Sequence, residues 1–177
     1  PSLWARIVPT VADVLIRVAP DCEPGIRSRA ANYQQQLMTL DAWVSASAAS
    51  VPEQQRILVT AHDAFRYFGL GYDIEVVGIQ GISTDSEAAI ADIRSVVDRV
   101  VSHNVPAIFV ESTISRRTVE TVVDGARDRG HDLKVGGELY SDAMGARDTP
   151  EGTYIGMIRH NARTIVESLG GKVEPWP

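Results

Sequence analysis

The stretch Ile57-Leu-Val-Thr-Ala-His62 indicates a buried strand, because it is a short apolar run that ends in a polar side chain at a turn. Similar apolar runs follow along the chain, and segments with apolar residues at helical spacing separate them. Alternating strand and helix signals joined by short loops are typical of a parallel sheet with helices on both faces. The sequence therefore predicts an α/β fold built on a parallel four-stranded sheet.

The predicted strands cover residues 57–61, 74–79 and 107–110, and a fourth strand opens at 133–135. Helices are predicted at about 62–69, after Thr84, and from Ser115 to Gly130. Glu87 follows Thr84 by three residues, which is the pattern of a capping box at a helix start, and Gly130 is expected to end the helix that Ser115 caps. Thr149-Pro150 is predicted to cap and begin the closing helix, since proline suits the first helical turn.

Residues 1–50 precede this α/β region and are predicted to form a long helical arm. Leu3–Val18 has apolar residues at helical spacing, and Pro9 inside it either kinks the helix or marks its true first turn. A second long helix is expected over about Gly25–Ser47, after the breaker Pro20–Pro24. The predicted domains are therefore an arm at 1–50 and an α/β lobe at 51–177.

The composition is that of an ordinary globular chain, with 177 residues, 44% hydrophobic and 23% charged. A net charge of −6 argues against a nucleic-acid partner, which would require a basic patch. No apolar stretch approaches the roughly 18 residues of a membrane-spanning helix. Cys22 is the single cysteine, so an internal disulfide and a thiolate metal cluster are excluded.

Three polar side chains are the candidate site. His62 and Glu111 follow apolar strand-like runs, and Asp142 follows a glycine-rich one. The carboxyl ends of parallel strands converge on one crevice, so these groups can meet although they are far apart in sequence. An imidazole and a carboxylate held on rigid elements form half of a site for a first-row metal.

Each candidate also has a purely structural interpretation. His62 could be a helix cap or a core histidine, and Asp142 could be a loop or capping aspartate. Glu111 could accept backbone N–H bonds at the turn 112–115, or it could bind the metal or orient a ligand, because a buried carboxylate requires partners.

Other catalytic patterns are absent from the sequence. His103, His131 and His160 form no His-Glu-x-x-His pair, and the positions of the first two suggest contacts with helix ends. The sequence also contains no phosphate-binding Gly-Lys-Ser/Thr loop and no Gly-x-Ser-x-Gly elbow.

Five segments together resemble the TroA/ZnuA-like solute-binding proteins of bacterial ABC importers for zinc and manganese. They occur in the family's order over nearly the whole chain: Thr60-Ala-His-Asp-Ala-Phe65, Val77-Gly-Ile-Gln-Gly-Ile-Ser-Thr84, Ile108-Phe-Val-Glu-Ser112, Gly137-Glu-Leu-Tyr-Ser-Asp142 and Thr149-Pro-Glu-Gly-Thr-Tyr154.

This resemblance implies two α/β lobes joined by a long helix, with a metal held between them by two ligands from each lobe. His62 matches the third ligand of the family, which is Glu in some manganese binders, and Asp142 matches the fourth. The chain would then be the C-terminal lobe with its linking helices, and the N-terminal lobe with the first two ligands would be absent. The resemblance further implies a cargo of Zn²⁺ or Mn²⁺ and a permease partner in the membrane. The implied location is periplasmic, or extracellular with a lipid anchor, and no reaction is expected.

Two other interpretations stay open from the sequence. One is a metal-dependent or acid–base enzyme with His62 as base and Glu111 or Asp142 as its partner. The other is an interaction domain in which a second copy of the chain covers the face that a missing lobe would cover, giving a homodimer.

Overall fold

The computed structural model describes residues 1–80, 90–111 and 116–177. The predicted caps Thr84, Glu87 and Ser115 lie outside these residues. The described chain divides into two compact units, residues 1–44 with 175–177, and residues 45–174. The assignment of 1–50 to an interlobe arm and of 51–177 to a C-terminal lobe stays a prediction.

The first unit is helical. Helix α1 covers Ser2–Ala5, α2 covers Val8–Val18, and the long α3, Glu23–Ala49, begins in this unit. Pro9 lies in the first turn of α2, so it begins a helix there and does not kink one. A groove of about 370 Å³ lies between α2 and α3. Seven large apolar side chains of α1, α2 and their junctions are exposed: Leu3, Trp4, Ile7, Val11, Val14, Leu15 and Val18.

The second unit contains the predicted sheet. Its strands are β1 (Ile57–His62), β2 (Glu75–Gln80), β3 (Ala107–Glu111) and β4 (Lys134–Leu139), and all neighbours are parallel in the order β2-β1-β3-β4. Every residue of β1 and β3 is buried, as expected for central strands covered on both faces. The α/β fold with a four-stranded parallel sheet and a preceding long helix is confirmed.

In the part of the second unit that the structure describes, four helices accompany the strands: α4 (Arg66–Tyr72), α5 (Ile90–Ser102), α6 (Arg116–Arg127) and α7 (Tyr154–Ser168). The chain moves from β1 to β2 on one side and then returns past β1 to β3 and β4. Because such crossovers are nearly always right-handed, α4 is expected on one face and α5 and α6 on the other. The strand order therefore reverses between β1 and β3, which is where open α/β sheets bind ligands.

Two predicted helix starts are wrong. Helix α4 begins at Arg66 and not at His62, because a turn intervenes in which the N–H of Ala64 donates to the carbonyl of His62 at 3.0 Å. Helix α7 begins at Tyr154, and Thr153 caps it by accepting the N–H of Gly156 at 3.1 Å. Thr149 and Pro150 begin a separate 3₁₀ turn instead.

Among the described residues, no helix is both long enough and apolar enough to cross a membrane.

Candidate metal centre

The candidate centre begins with a paired histidine and glutamate at the switch point of the sheet. His62 is the last residue of β1 and Glu111 is the last residue of β3. One Glu111 oxygen, Oε1, accepts the backbone N–H of His62 at 2.9 Å, and the other, Oε2, lies 2.7 Å from Nδ1 of the same residue. The carboxylate therefore holds both the backbone and the ring of His62.

This pairing selects one tautomer of the imidazole. Nδ1 of His62 and Oε2 of Glu111 are both buried, and neither has another hydrogen-bond partner among the described residues. A proton on Nδ1 joins the two atoms in a hydrogen bond, whereas a proton on Nε2 would leave two buried acceptors facing each other. The ring is therefore held with its Nε2 lone pair available, as in metal sites where a carboxylate orients the histidine ligand.

The free ring nitrogen faces the third candidate. Nε2 of His62 lies 3.4 Å from Oδ2 of Asp142, which follows β4 by three residues. This separation is longer than the 2.7–3.2 Å of a well-formed N–H···O bond. Two ligand atoms that each lie about 2.0–2.1 Å from a tetrahedral zinc ion are separated by about 3.3 Å. The pair therefore has the spacing of two atoms that share one ion.

The two faces of the centre differ in exposure. The His62 side chain is 4% exposed and the Asp142 side chain is 58% exposed, so an ion could approach from the side of Asp142. Both oxygens of Glu111 are directed at His62, on the side of the ring away from Nε2. No group of three or more His, Cys, Asp and Glu within residues 1–80, 90–111 and 116–177 is arranged to share one metal ion. His62 and Asp142 are therefore the two candidate ligands among the described residues.

Neighbouring residues fix the backbone around His62. The buried hydroxyl of Thr60 donates to the His62 carbonyl at 2.8 Å, a second bond to an oxygen that also accepts from the turn. Asp63, which the sequence places beside His62, forms an ion pair with Arg66 in the first turn of α4. Asp63 therefore contributes to the turn.

The other three histidines each contact a backbone carbonyl. Nδ1 of His103 lies 3.0 Å from the oxygen of Arg99 in the last turn of α5. Nε2 of His131 lies 2.7 Å from the oxygen of Val105, and Nε2 of His160 lies 2.9 Å from that of Glu138. These contacts account for all three side chains without a role in metal binding.

Sequence reasoning missed Asn161, which lies on α7 and contacts the segment that leads to Asp142. Its amide makes two hydrogen bonds to the backbone of Tyr140. The available signal was a polar residue inside the apolar stripe of a helix, since asparagine is unfavourable there unless its side chain has a specific partner.

The sequence is similar to proteins that are named for metal binding. The family described as ZnuA, zinc-uptake complex component A, periplasmic, matches residues 1–168. The manganese-binding lipoprotein MntA of Bacillus subtilis is 43% identical over 94% of this chain and 55% of its own length. The zinc-binding protein TroA of Treponema pallidum is 46% identical over 95% of this chain and 54% of its own length.

A solved structure gives the same result for the fold. The periplasmic zinc-binding protein TroA from Treponema pallidum superimposes with a TM-score of 0.89, covering 94% of this chain and 60% of that one. The chain spans about half the length of the curated relatives it matches. With a family match over 168 residues and relatives above 40% identity, this chain belongs to the ZnuA family of metal-uptake proteins.

Proposed function

We propose that this chain is the C-terminal half of the metal-binding receptor of an ABC importer, and that His62 and Asp142 are two of its metal ligands. The observation that supports this proposal most directly is the 3.4 Å separation between Nε2 of His62 and Oδ2 of Asp142. The contact of Glu111 with Nδ1 of His62 holds the imidazole in the tautomer that a metal ligand needs. The cargo is Zn²⁺ or Mn²⁺, because an imidazole suits zinc and a carboxylate suits both ions.

The names of the relatives support the rest of this proposal. They are called a manganese-binding lipoprotein and a zinc-binding protein, and the matching family is described as periplasmic. By analogy, the receptor works outside the cytoplasmic membrane, in the periplasm or held by a lipid anchor. Its partner is the permease of the importer, to which it delivers the ion.

The remaining ligands are proposed to come from the part of the relatives that this chain does not span. Two protein ligands do not complete the tetrahedral shell that a closed zinc site needs. The exposed apolar side chains of α1 and α2 support this proposal, since contiguous apolar surface marks an interaction site. The absent N-terminal lobe would cover that surface, and a homodimer of the chain is the alternative occupant.

We infer that the centre binds an ion and catalyses no reaction. The ring of His62 lies between two carboxylates, Glu111 at Nδ1 and Asp142 at Nε2, an arrangement that suits a metal ligand. The relatives are named as metal-binding proteins, which supports ion binding as the function of this centre.

Calorimetric titration of zinc into this chain tests the ligand assignment. Half of the roughly 10–16 kcal/mol of a complete zinc site corresponds to a Kd in the micromolar to submillimolar range. We expect one zinc ion per chain in that range, and at least tenfold weaker binding by His62→Ala and by Asp142→Ala. His103→Ala is the matched control, because its ring contacts the end of α5.

Unchanged affinity in either site variant contradicts the assignment. One zinc ion per two chains would instead show that a second copy completes the site. In a longer receptor chain that also carries the remaining ligands, the same two substitutions should again weaken zinc binding at least tenfold.

A further inference from the structure

We infer that Asn161 is a positioning residue for Asp142, acting through the backbone of Tyr140. This inference rests on the proposed function, because it concerns how one of the proposed ligands is held at the required distance from His62. Asp142 itself lies in an irregular segment after β4, so the contacts that hold the chain on either side of it contribute to its position.

On the upstream side, Asn161 forms a two-point clamp. Its Oδ1 accepts the N–H of Tyr140 at 3.0 Å, and its Nδ2 donates to the carbonyl of Tyr140 at 2.7 Å. The residue is 2% exposed, so these bonds are shielded from water. The amide thus supplies the two backbone hydrogen bonds that a neighbouring strand would make with Tyr140, one residue past the end of β4.

The helix that carries Asn161 can reach Tyr140 because β4 contains two glycines. A Cβ added at Gly136 would lie 2.8 Å from Cβ of Ser168, and one at Gly137 would lie 2.6 Å from Cγ2 of Thr164. Residues 161, 164 and 168 lie on one face of α7, at helical spacing. The close approach at the two glycines therefore determines how near to the end of β4 the side chain of Asn161 lies.

On the downstream side, the chain after Asp142 is closed on itself. The N–H of Gly145 donates to the carbonyl of Glu151 at 3.0 Å, and both the N–H and the hydroxyl of Thr149 donate to the carbonyl of Ala146. The segment around Asp142 is therefore fixed from one side by its own hydrogen bonds and from the other by Asn161. Loss of the clamp loosens the backbone at Tyr140 and at Ser141, the single residue between Tyr140 and Asp142.

The test compares Asn161→Ala and the milder Asn161→Ser with Ser168→Ala. Ser168 is a matched control, because its hydroxyl also joins α7 to β4, donating to the carbonyl of Gly136 at 3.0 Å, but far from Asp142 along the strand. All variants are made in this chain and compared with the unsubstituted chain. Their folding is checked by thermal unfolding, and the Ser variant serves if the Ala variant does not fold.

The first readout needs no metal. Backbone ¹⁵N relaxation reports the order parameter of residues 140–142, and we expect it to fall from about 0.85 to below about 0.6 in the Asn161 variants only. The second readout is zinc titration followed by NMR. We expect the Kd to rise about tenfold in the Asn161 variants, the lower end of the effect of removing residues that orient metal ligands, and not in Ser168→Ala.

Three results would overturn the inference. These are order parameters at 140–142 unchanged by Asn161→Ala, a zinc Kd within twofold of that of the unsubstituted chain, and equal effects of Ser168→Ala, which would show general docking of α7. Absence of zinc binding by the unsubstituted chain would contradict the proposed function, while the relaxation data would still decide the role of Asn161.

Discussion

Replacement of Glu111 by Gln is expected to reverse the tautomer of His62 with little change in shape. The amide oxygen must stay at the backbone N–H of His62, since an NH₂ group there would face another donor. The NH₂ group then faces Nδ1, which can only accept from it. The ring proton therefore moves to Nε2, the atom that faces Asp142.

The size of the effect on metal binding follows from this geometry. Zinc requires the Nε2 lone pair, so binding must return the proton to Nδ1 and place two buried donors against each other. An unsatisfied buried polar group costs about 1–3 kcal/mol. At 1.4 kcal/mol per factor of ten, zinc affinity should fall roughly 5- to 150-fold. The free energy of unfolding should fall less, by about 1 kcal/mol, because both Gln contacts remain satisfied.

NMR of the ¹⁵N-labelled imidazole reports the tautomer directly, and a zinc titration of the same sample gives the affinity. Glu138→Gln is the matched control, since Glu138 is an exposed β4 residue whose carboxylate pairs with Arg116 at the surface, a contact worth at most about 1 kcal/mol. Glu111→Gln with the Nδ1 proton retained, or with zinc affinity within twofold of the unsubstituted chain, would show that Glu111 does not fix the tautomer for metal binding.

Three further substitutions test local packing and hydrogen bonding by denaturant unfolding. A Cβ at Gly156 would lie 1.8 Å from the carbonyl oxygen of Pro150, so Gly156→Ala should lower the free energy of unfolding by about 1–3 kcal/mol. Gly71→Ala, in open space on α4, should raise it by about 0.5–1 kcal/mol, and equal effects of the two would contradict the structure. Thr60→Val removes the buried bond to the carbonyl of His62 and should cost about 1 kcal/mol, with zinc affinity changed less than threefold; unchanged stability would count against that bond.

The sheet could be predicted from sequence because its central strands are nearly continuous apolar runs. The predicted strands 57–61 and 107–110 each stop one residue early. The missing residues are His62 and Glu111, the polar side chains at which the apolar pattern ends. Their placement at one crevice followed from the rule for parallel sheets, whereas their pairing depends on the register of β1 with β3.

Helix starts were less predictable, because local signals competed. Thr149-Pro150 and Thr153 both precede apolar residues, and the capping bond from Gly156 to Thr153 decides between them. The role of Asn161 could not be predicted either. Its polarity inside a helical stripe indicates a specific partner, but only the packing of α7 on β4 identifies Tyr140 as that partner.

Anomalous diffraction from zinc-soaked crystals of this chain shows whether His62 and Asp142 share one metal ion. One anomalous peak is expected about 2.0–2.1 Å from both Nε2 of His62 and Oδ2 of Asp142. Zinc bound only elsewhere, such as at His103 or His131, with no peak between these two atoms, would contradict it.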